Sequence, residues 1–130
     1  MNRPVLTGLL IPADVHQAVC LCSVRDCAVA ISDAIGGHLL DDAIATALPR
    51  GALAAFYLAE DRAGLPENPR FAVLLARLAL HERTFRNGVC GDVLILGCAD
   101  DLRDVDVPAE VIDACARCGI DVHPSRPPRS

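Results

Sequence analysis

Short apolar stretches, each bounded by turn residues, run along the first part of this chain and predict β-strands. Residues 4–11 are apolar and end at Pro12, and residues 15–22 follow after a turn at Pro12-Ala13-Asp14. In the second stretch, Val19 and Leu21 alternate with Cys20 and Cys22, and alternation places successive side chains on opposite faces of a strand. The pattern therefore predicts a hairpin of two strands.

A helical spacing of apolar residues follows the hairpin. Ser23 is expected to stop the second strand and to cap this helix, and Gly36-Gly37 is expected to end it, since glycine readily adopts the left-handed conformation of a helix C-terminus. The stripe that indicates the helix recurs every three or four positions. Its members are Val24, Cys27, Ala28, Ile31 and Ile35.

A second helix is indicated most clearly by Asn68-Pro69. Asparagine caps helix N-termini, and proline is tolerated in the first turn because its missing N–H would be unpaired anyway. Val73 and Leu80 lie off the apolar stripe, so this helix is expected to be buried on two sides. The stripe itself consists of Phe71, Leu74, Leu75 and Leu78.

The remaining segments complete the expected set of elements. Strands are predicted at residues 52–59 and 89–98, and a third helix is predicted to begin at Pro108 and to end at Gly119. Residues 60–64 and 100–106 are interpreted as polar loops, and residues 38–48 suit either a strand or a helix. We expect a single α+β domain over residues 1–123, with an antiparallel or mixed sheet of about five strands and three helices, and a disordered Pro/Arg tail over residues 124–130.

Composition narrows the classes of partner. The net charge is -5 and aromatic residues make up 3% of the chain, whereas nucleic-acid binders need a basic face and often stacking rings. We therefore expect no nucleic-acid partner. No apolar run has the length of a membrane span and no signal peptide is apparent, so the expected location is cytoplasmic.

Seven cysteines raise the question of metal binding or redox chemistry. Cys20, Cys22, Cys115 and Cys118 together supply the four thiolates that a structural zinc site requires. Neither pair lies on a glycine-containing knuckle of the kind that folds around a metal, so the favoured interpretation is that the cysteines are small core hydrophobes and that no cofactor is bound, with zinc as the alternative. Cys115-x-x-Cys118 lies at a predicted helix C-terminus, where the helix dipole disfavours the thiolate needed for redox catalysis.

Candidate polar site residues are few and dispersed. No P-loop, G-x-G-x-x-G or G-x-S-x-G motif occurs, so the sequence offers no nucleotide or nucleophile signature of those kinds. His38 follows Gly36-Gly37 at a turn and is the histidine most suited to a functional role. A small enzyme would use His38 with Glu60 and Asp92 in one cleft, if strands 52–59 and 89–98 are neighbours.

An ordered set of motifs carries a resemblance to a known family. The motifs are Gly36-Gly37, then Glu60-Asp61 with Gly64, then Leu65-Pro66-x-Asn68-Pro69, and finally residues 91–97, which read GDVLILG. In this order they resemble domain-of-unknown-function family 3846, with members from phages, plasmids and actinobacteria. The resemblance covers residues 24–112, brings no catalytic residue with it, and implies an accessory role in a mobile element.

Function at this point is an expectation with alternatives. The leading one is a non-enzymatic binding or accessory protein that acts on a protein partner or a small ligand, with His38, Glu60, Asn68 and Asp92 as candidate ligand-binding residues. The high apolar fraction, 52%, is consistent with a homodimer. The alternatives are the small enzyme and the zinc protein.

Overall fold

A seven-stranded mixed sheet with helices on both faces forms the fold in the computed structural model, which describes residues 4–41, 43–81, 85 and 88–124. The strands are β1 (Val5–Ile11), β2 (Val19–Arg25), β3 (Ile44–Ala47), β4 (Leu53–Tyr57), β5 (Val93–Cys98), β6 (Asp104–Val105) and β7 (Val122–His123). The helices are α1 (Ala28–Ala34), α2 (Pro69–Arg77) and α3 (Ala109–Arg117), and a short 3-10 helix spans Arg62–Gly64. The expected α+β domain is confirmed, with a sheet larger than the five strands expected.

Strand β5 lies at the centre of the sheet, which has the order β3-β4-β5-β1-β2-β7. Its antiparallel neighbours are β4 on one side and β1 on the other, while β2 and β7 run parallel. The two-residue strand β6 folds back on the end of β5, where Gly97 pairs with Val105. The apolar sequence of β5 is what a strand covered on both faces requires.

Alternation along the strands divides the core into two layers. Leu9 and Ile95 belong to the layer under α2 and α3, whereas their chain neighbours Leu10 and Leu94 belong to the layer under α1. In the first layer three phenylalanines from β4, α2 and the following loop form one cluster, with ring centroids 5.4 to 5.8 Å apart. These edge and tilted contacts hold α2 against the sheet. The three are Phe56, Phe71 and Phe85.

The boundary between β2 and α1 differs from the expected one. Ser23 does not end the strand, because the strand continues to Arg25 in register with β1, where Ser23 pairs with Thr7. The helix begins only at Ala28, after Cys27, which provides no side-chain cap. Pairing with β1 therefore overrides the local preference of serine for a cap. The Gly36-Gly37 ending is confirmed, with φ angles of 96° and 83°.

One further expectation about burial was wrong. Val73 is exposed, so α2 is buried on one side only. The segment interpreted as a polar loop, residues 60–64, contains a fully buried arginine: Arg62 donates from Nε to the carbonyl of Gly88 at 2.8 Å and pairs with Asp41 at 2.7 Å. Its planar guanidinium can bridge two loops in a way that a polar-loop pattern does not reveal.

Segment 38–48, left open by the pattern, contains strand β3 and an isolated bridge between Leu40 and Ala59. The predicted tail lies outside the described residues from position 125 onward. Within the part of the chain that the structure describes, no helix has both the length and the apolar character needed to cross a bilayer.

Candidate functional site

A cleft of about 590 Å³ opens at one end of the sheet, where the loop between β1 and β2 meets the first turn of α2 and the segment that joins α3 to β7. Its volume falls within the roughly 300–1,000 Å³ that is usual for small-molecule sites. The walls are formed by Val15 to Val19, by Pro69, Arg70 and Val73, and by Cys118 to Asp121 with His123.

The loop between β1 and β2 owes its shape to hydrogen bonds around one aspartate. The Asp14 carboxylate accepts from the backbone N–H of His16 at 2.9 Å, and the backbone carbonyl of Asp14 accepts from the N–H of Gln17 at 3.0 Å. Aspartate commonly stabilises turns by bonding the backbone two residues on. The turn brings Val15 and His16 to the cleft, and the backbone N–H of Ala13 is held by the Asp92 carboxylate at 2.9 Å.

Arg70 is the most firmly placed charge of the cleft. Its Nη2 donates to the carbonyls of Pro12 at 2.8 Å and of Asp14 at 2.9 Å, while its Nε is buried without a hydrogen-bond partner. Among the described residues, no carboxylate forms an ion pair with this guanidinium. Two neutral carbonyls therefore orient a cation whose charge is not neutralised by a neighbouring carboxylate.

Apolar surface and titratable groups share the rest of the cleft. Val15 and Val73 are large apolar side chains that stay about half exposed, at 55% and 48%. Strand β7 pairs His123 with Cys20, and His123, His16 and Asp121 are exposed. The cleft thus combines an apolar surface with one fixed cation and several exposed polar groups.

The sequence-predicted residues His38 and Glu60 lie near the end of β4. His38 Nδ1 is 3.7 Å from an Asp61 carboxylate oxygen, and the His38 carbonyl accepts from the Ser32 hydroxyl at 2.5 Å. Glu60 is exposed, and its backbone N–H donates to Leu39. His38 therefore has Asp61 as its carboxylate neighbour.

Asn68 and Asp92 converge instead on the end of β1. Asn68 is buried, with Nδ2 donating to the carbonyls of Ile11 and Gly91, and Asp92 binds the N–H of Ala13. Strands β4 and β5 are neighbours, as the enzyme hypothesis required. None of the four predicted residues is among the described residues that line the cleft.

The four cysteines of the zinc hypothesis lie on two sides of the sheet. Cys20 and Cys22 belong to the layer under α1, whereas Cys115 belongs to the layer under α2 and α3, with Cys118 packed against it. Burial, with a smaller contribution from Cys118, raises the pKa of the Cys115 thiol to about 12. Within the described ranges, no three His, Cys, Asp or Glu side chains are grouped closely enough to hold a metal ion.

A tyrosine–aspartate pair on the α1 face was missed in the sequence. The Tyr57 hydroxyl donates to the Asp104 carboxylate at 2.6 Å. Burial, this hydrogen bond and nearby carboxylates raise the pKa of Tyr57 well above its usual value. Burial and the Asp26 carboxylate also raise the pKa of Asp104, although the hydrogen bond from Tyr57 opposes this. The two residues are 47 positions apart, so no local motif indicates the pair.

Arg70, by contrast, carried a local signal that went unused. It follows Asn68-Pro69 directly and so lies in the first turn of α2, where the helix dipole disfavours a cation. A basic residue in this position needs a compensating tertiary contact or a functional reason. The carbonyls of Pro12 and Asp14 supply the contact.

Comparison with known proteins shows a similarity of fold to one solved structure and no similarity of sequence family. No family model matches the chain, and no curated protein matches it. A solved structure, the crystal structure of small RNA methyltransferase HEN1, has a similar fold, with a TM-score of 0.56 at 12% sequence identity. The match covers 89% of this chain and 16% of that chain. At this identity the likeness concerns the architecture alone.

Proposed function

We propose that this protein is a non-enzymatic binding module that holds a small organic anion with an apolar body in the cleft beside Arg70. The anionic group is received by the Arg70 guanidinium, and the apolar body lies against Val15 and Val73. The proposed activity of this domain is binding of the ligand, in an accessory role.

The observation that carries the proposal is the fixed, uncompensated charge of Arg70. The carbonyls of Pro12 and Asp14 orient the guanidinium without neutralising it, so its charge remains available to a ligand. Because Nη2 already donates to these two carbonyls and Nε is buried, Nη1 is the donor that remains for the anion, and its hydrogen bonds to a carboxylate or phosphate are charge-assisted. A lysine would place a point charge there without this fixed orientation.

Cleft shape favours a small ligand over a protein partner as the direct occupant. A volume of about 590 Å³ suits a molecule of drug or metabolite size, which such clefts largely enclose. A protein partner would more commonly use a broad surface of about 800 Å² on each side.

The resemblance of residues 24–112 to the phage, plasmid and actinobacterial family supports a cellular setting for this proposal. An accessory protein of a mobile element, acting in the cytoplasm, would use such a cleft to respond to a host metabolite. Anion binding in the cleft can be tested independently of this cellular setting.

Titration with octanoate, followed by amide chemical shifts in nuclear magnetic resonance spectra, tests the proposal directly. Octanoate has the proposed chemistry: one carboxylate and an apolar chain. We expect saturable shifts in the β1–β2 loop and the first turn of α2, and no such shifts with octanol, which lacks the charge.

A pair of matched valine substitutions, one test and one control, separates the cleft from the rest of the surface. Val73→Glu places a negative charge beside the proposed anion and should abolish saturation, whereas Val29→Glu makes the same change at an exposed valine of α1 and should have no effect. Arg70→Lys should weaken binding, since an ammonium group cannot donate to the Pro12 and Asp14 carbonyls and hold a second, oriented donor toward the anion at the same time. Octanoate shifts that do not saturate, or that respond equally to both valine substitutions, would refute the cleft as an anion site.

A further inference from the structure

A second, smaller groove lies between the ends of α2 and α3 and the turn that joins β3 to β4. Its volume is about 200 Å³, and three arginines line it: Arg50, Arg77 and Arg117. The Glu110 carboxylate also lines the groove, and Asp113 pairs with Arg50, so the positive charge that is free to meet an anion comes from Arg77 and Arg117. The groove shares no lining residue with the cleft beside Arg70.

Contacts with α3 hold one of the three arginines in place. The backbone N–H of Arg50 donates to Glu110 Oε2 at 2.9 Å, and its guanidinium lies 3.4 Å from the Asp113 carboxylate. Arg77 and Arg117 are exposed, and within the described part of the chain neither guanidinium forms a hydrogen bond or ion pair with another residue. Both side chains are therefore able to turn toward a ligand in the groove.

Glu110 provides an independent observation that points to a ligand. The residue lines the groove, is only 9% exposed, and its Oε1 is buried with no hydrogen-bond partner. Buried polar atoms in folded proteins nearly always have a partner. A bound group that carries both negative charge and a proton to donate would satisfy this oxygen and the nearby arginines together.

We propose that this groove binds a phosphate group in a form that keeps one acidic proton. Its charged oxygens accept hydrogen bonds from Arg77 and Arg117, and its P–OH donates to Glu110 Oε1 as the arginine side chains move inward. Inorganic phosphate has such a proton at neutral pH. A sulfate ion has the same shape and charge and no proton, so Glu110 should discriminate against it.

Arginines in the last turns of α2 and α3 also complement the negative ends of those helices. That role accounts for a cation on each helix, since Arg77 and Arg117 both occupy last-turn positions. It does not account for their position around one groove, or for the unpaired oxygen of Glu110. The phosphate proposal accounts for all three features.

Isothermal titration with inorganic phosphate, and with sulfate at matched ionic strength, tests this proposal on the whole protein. We expect saturable phosphate binding about tenfold or more tighter than sulfate, which is the difference that one charge-assisted hydrogen bond supplies. Arg77→Gln and Arg117→Gln should each weaken phosphate binding about fivefold or more. Arg25→Gln, at an exposed arginine on β2, is the matched control and should leave the affinity unchanged.

Glu110→Gln supplies the decisive variant, since its amide can donate to an anion that has no proton. Sulfate should then bind within about threefold of phosphate. Phenyl phosphate is a second probe of the proton, because the second pKa of a phosphate monoester is about 6, so that at pH 8 it has lost the proton that inorganic phosphate keeps. It should therefore bind about as weakly as sulfate, and binding as tight as that of inorganic phosphate would overturn the role of a P–OH donor. The proposal is overturned if phosphate binding does not saturate, if phosphate and sulfate bind alike in the wild type, or if Arg25→Gln weakens binding as much as Arg77→Gln.

Discussion

The side-chain amide of Asn68 donates to the carbonyl of Ile11 at 2.9 Å, which joins the first turn of α2 to the end of β1. The same amide nitrogen donates to the carbonyl of Gly91 at 2.9 Å, and the amide oxygen accepts from the N–H of Phe71 at 3.1 Å. One buried side chain thus connects the start of α2 both to the end of β1 and to the residue that lies two positions before β5. Because Arg70 follows two residues later, this connection also positions the cleft.

Asn68→Ala should destabilise the protein by about 2–4 kcal/mol. The substitution removes a helix cap, worth about 1 kcal/mol, and leaves two buried carbonyls without a donor. Urea denaturation followed by circular dichroism measures the loss. Glu67→Ala, at the exposed neighbouring position, is the control and should change the stability by less than about 0.5 kcal/mol. Equal effects of the two substitutions would show that the Asn68 hydrogen bonds contribute little.

Gly97→Ala should disrupt the hairpin formed by β5 and β6. A Cβ atom at this position would collide with the backbone carbonyl oxygen of Asp106 and would lie 2.9 Å from a methyl group of Val105. Backbone cannot move aside as a side chain can, so we expect a loss of about 3 kcal/mol or more. The loss is measured as a shift in the denaturation midpoint.

Gly64→Ala makes the same chemical change where nothing lies within 4 Å of the new Cβ and φ is not positive. It should be neutral or should stabilise by up to about 1 kcal/mol, because alanine restricts the unfolded chain. A Gly97→Ala variant as stable as Gly64→Ala would contradict the close approach of Asp106 to β5.

Tyr57 is the only tyrosine of the chain, so its ionisation can be followed alone by ultraviolet absorbance. The raised pKa means that the folded protein should show no phenolate at about pH 10, where an unfolded tyrosine is half ionised. Asp104→Asn removes the acceptor carboxylate and its charge, and should lower the pKa toward that value. Asp100→Asn, at an exposed position in the turn that precedes β6, should leave the titration unchanged.

The sign of the pH effect on stability follows from the same shift. The pKa of Tyr57 is higher in the folded protein than in the unfolded chain, so the folded state keeps its proton where the unfolded chain has lost it. Stability should therefore fall as the pH rises from about 10 toward the folded-state pKa. Tyr57→Phe should abolish this part of the loss. If the loss persists in Tyr57→Phe, another group is responsible.

Cys115 should resist alkylation in the folded protein. With a pKa of about 12, only about one thiol in ten thousand is thiolate at pH 8, and the side chain is buried. Cys118, half-buried on the same helix end, is the internal comparison and should react first when iodoacetamide labelling is followed by peptide mass spectrometry. In guanidinium the two should react at similar rates. Equal rates in the folded protein would contradict the burial of Cys115.

Local patterns were sufficient where the signal and the structure depend on the same neighbouring residues. Asn68-Pro69 predicted the start of α2, and Gly36-Gly37 predicted the end of α1, because capping and positive φ are properties of a few adjacent residues. The first strand was also predicted, since an apolar run closed by proline has few other interpretations. The strands β6 and β7 were missed because two residues are too few to form a pattern.

The features that local patterns did not predict depend on contacts between residues far apart in the chain. Ser23 has a local preference for capping, yet pairing with Thr7 keeps it in β2. Arg62 lies in a segment of polar residues, yet Asp41 and Gly88 make its burial favourable. The position of His38 beside Asp61, and of the four zinc-candidate cysteines on two sides of the sheet, likewise depended on the topology.

The sequence by itself determined that this chain is an α+β domain with an apolar core, because periodicity and turn chemistry act over a few residues. Only the tertiary structure decided where its charges come together. Arg70 meets the carbonyls of Pro12 and Asp14, and Arg50 meets Glu110, across 56 to 60 positions of the chain. Which residues meet depends on strand order and register, and these are determined by the packing of the whole core, so no local pattern in the sequence identifies the partners.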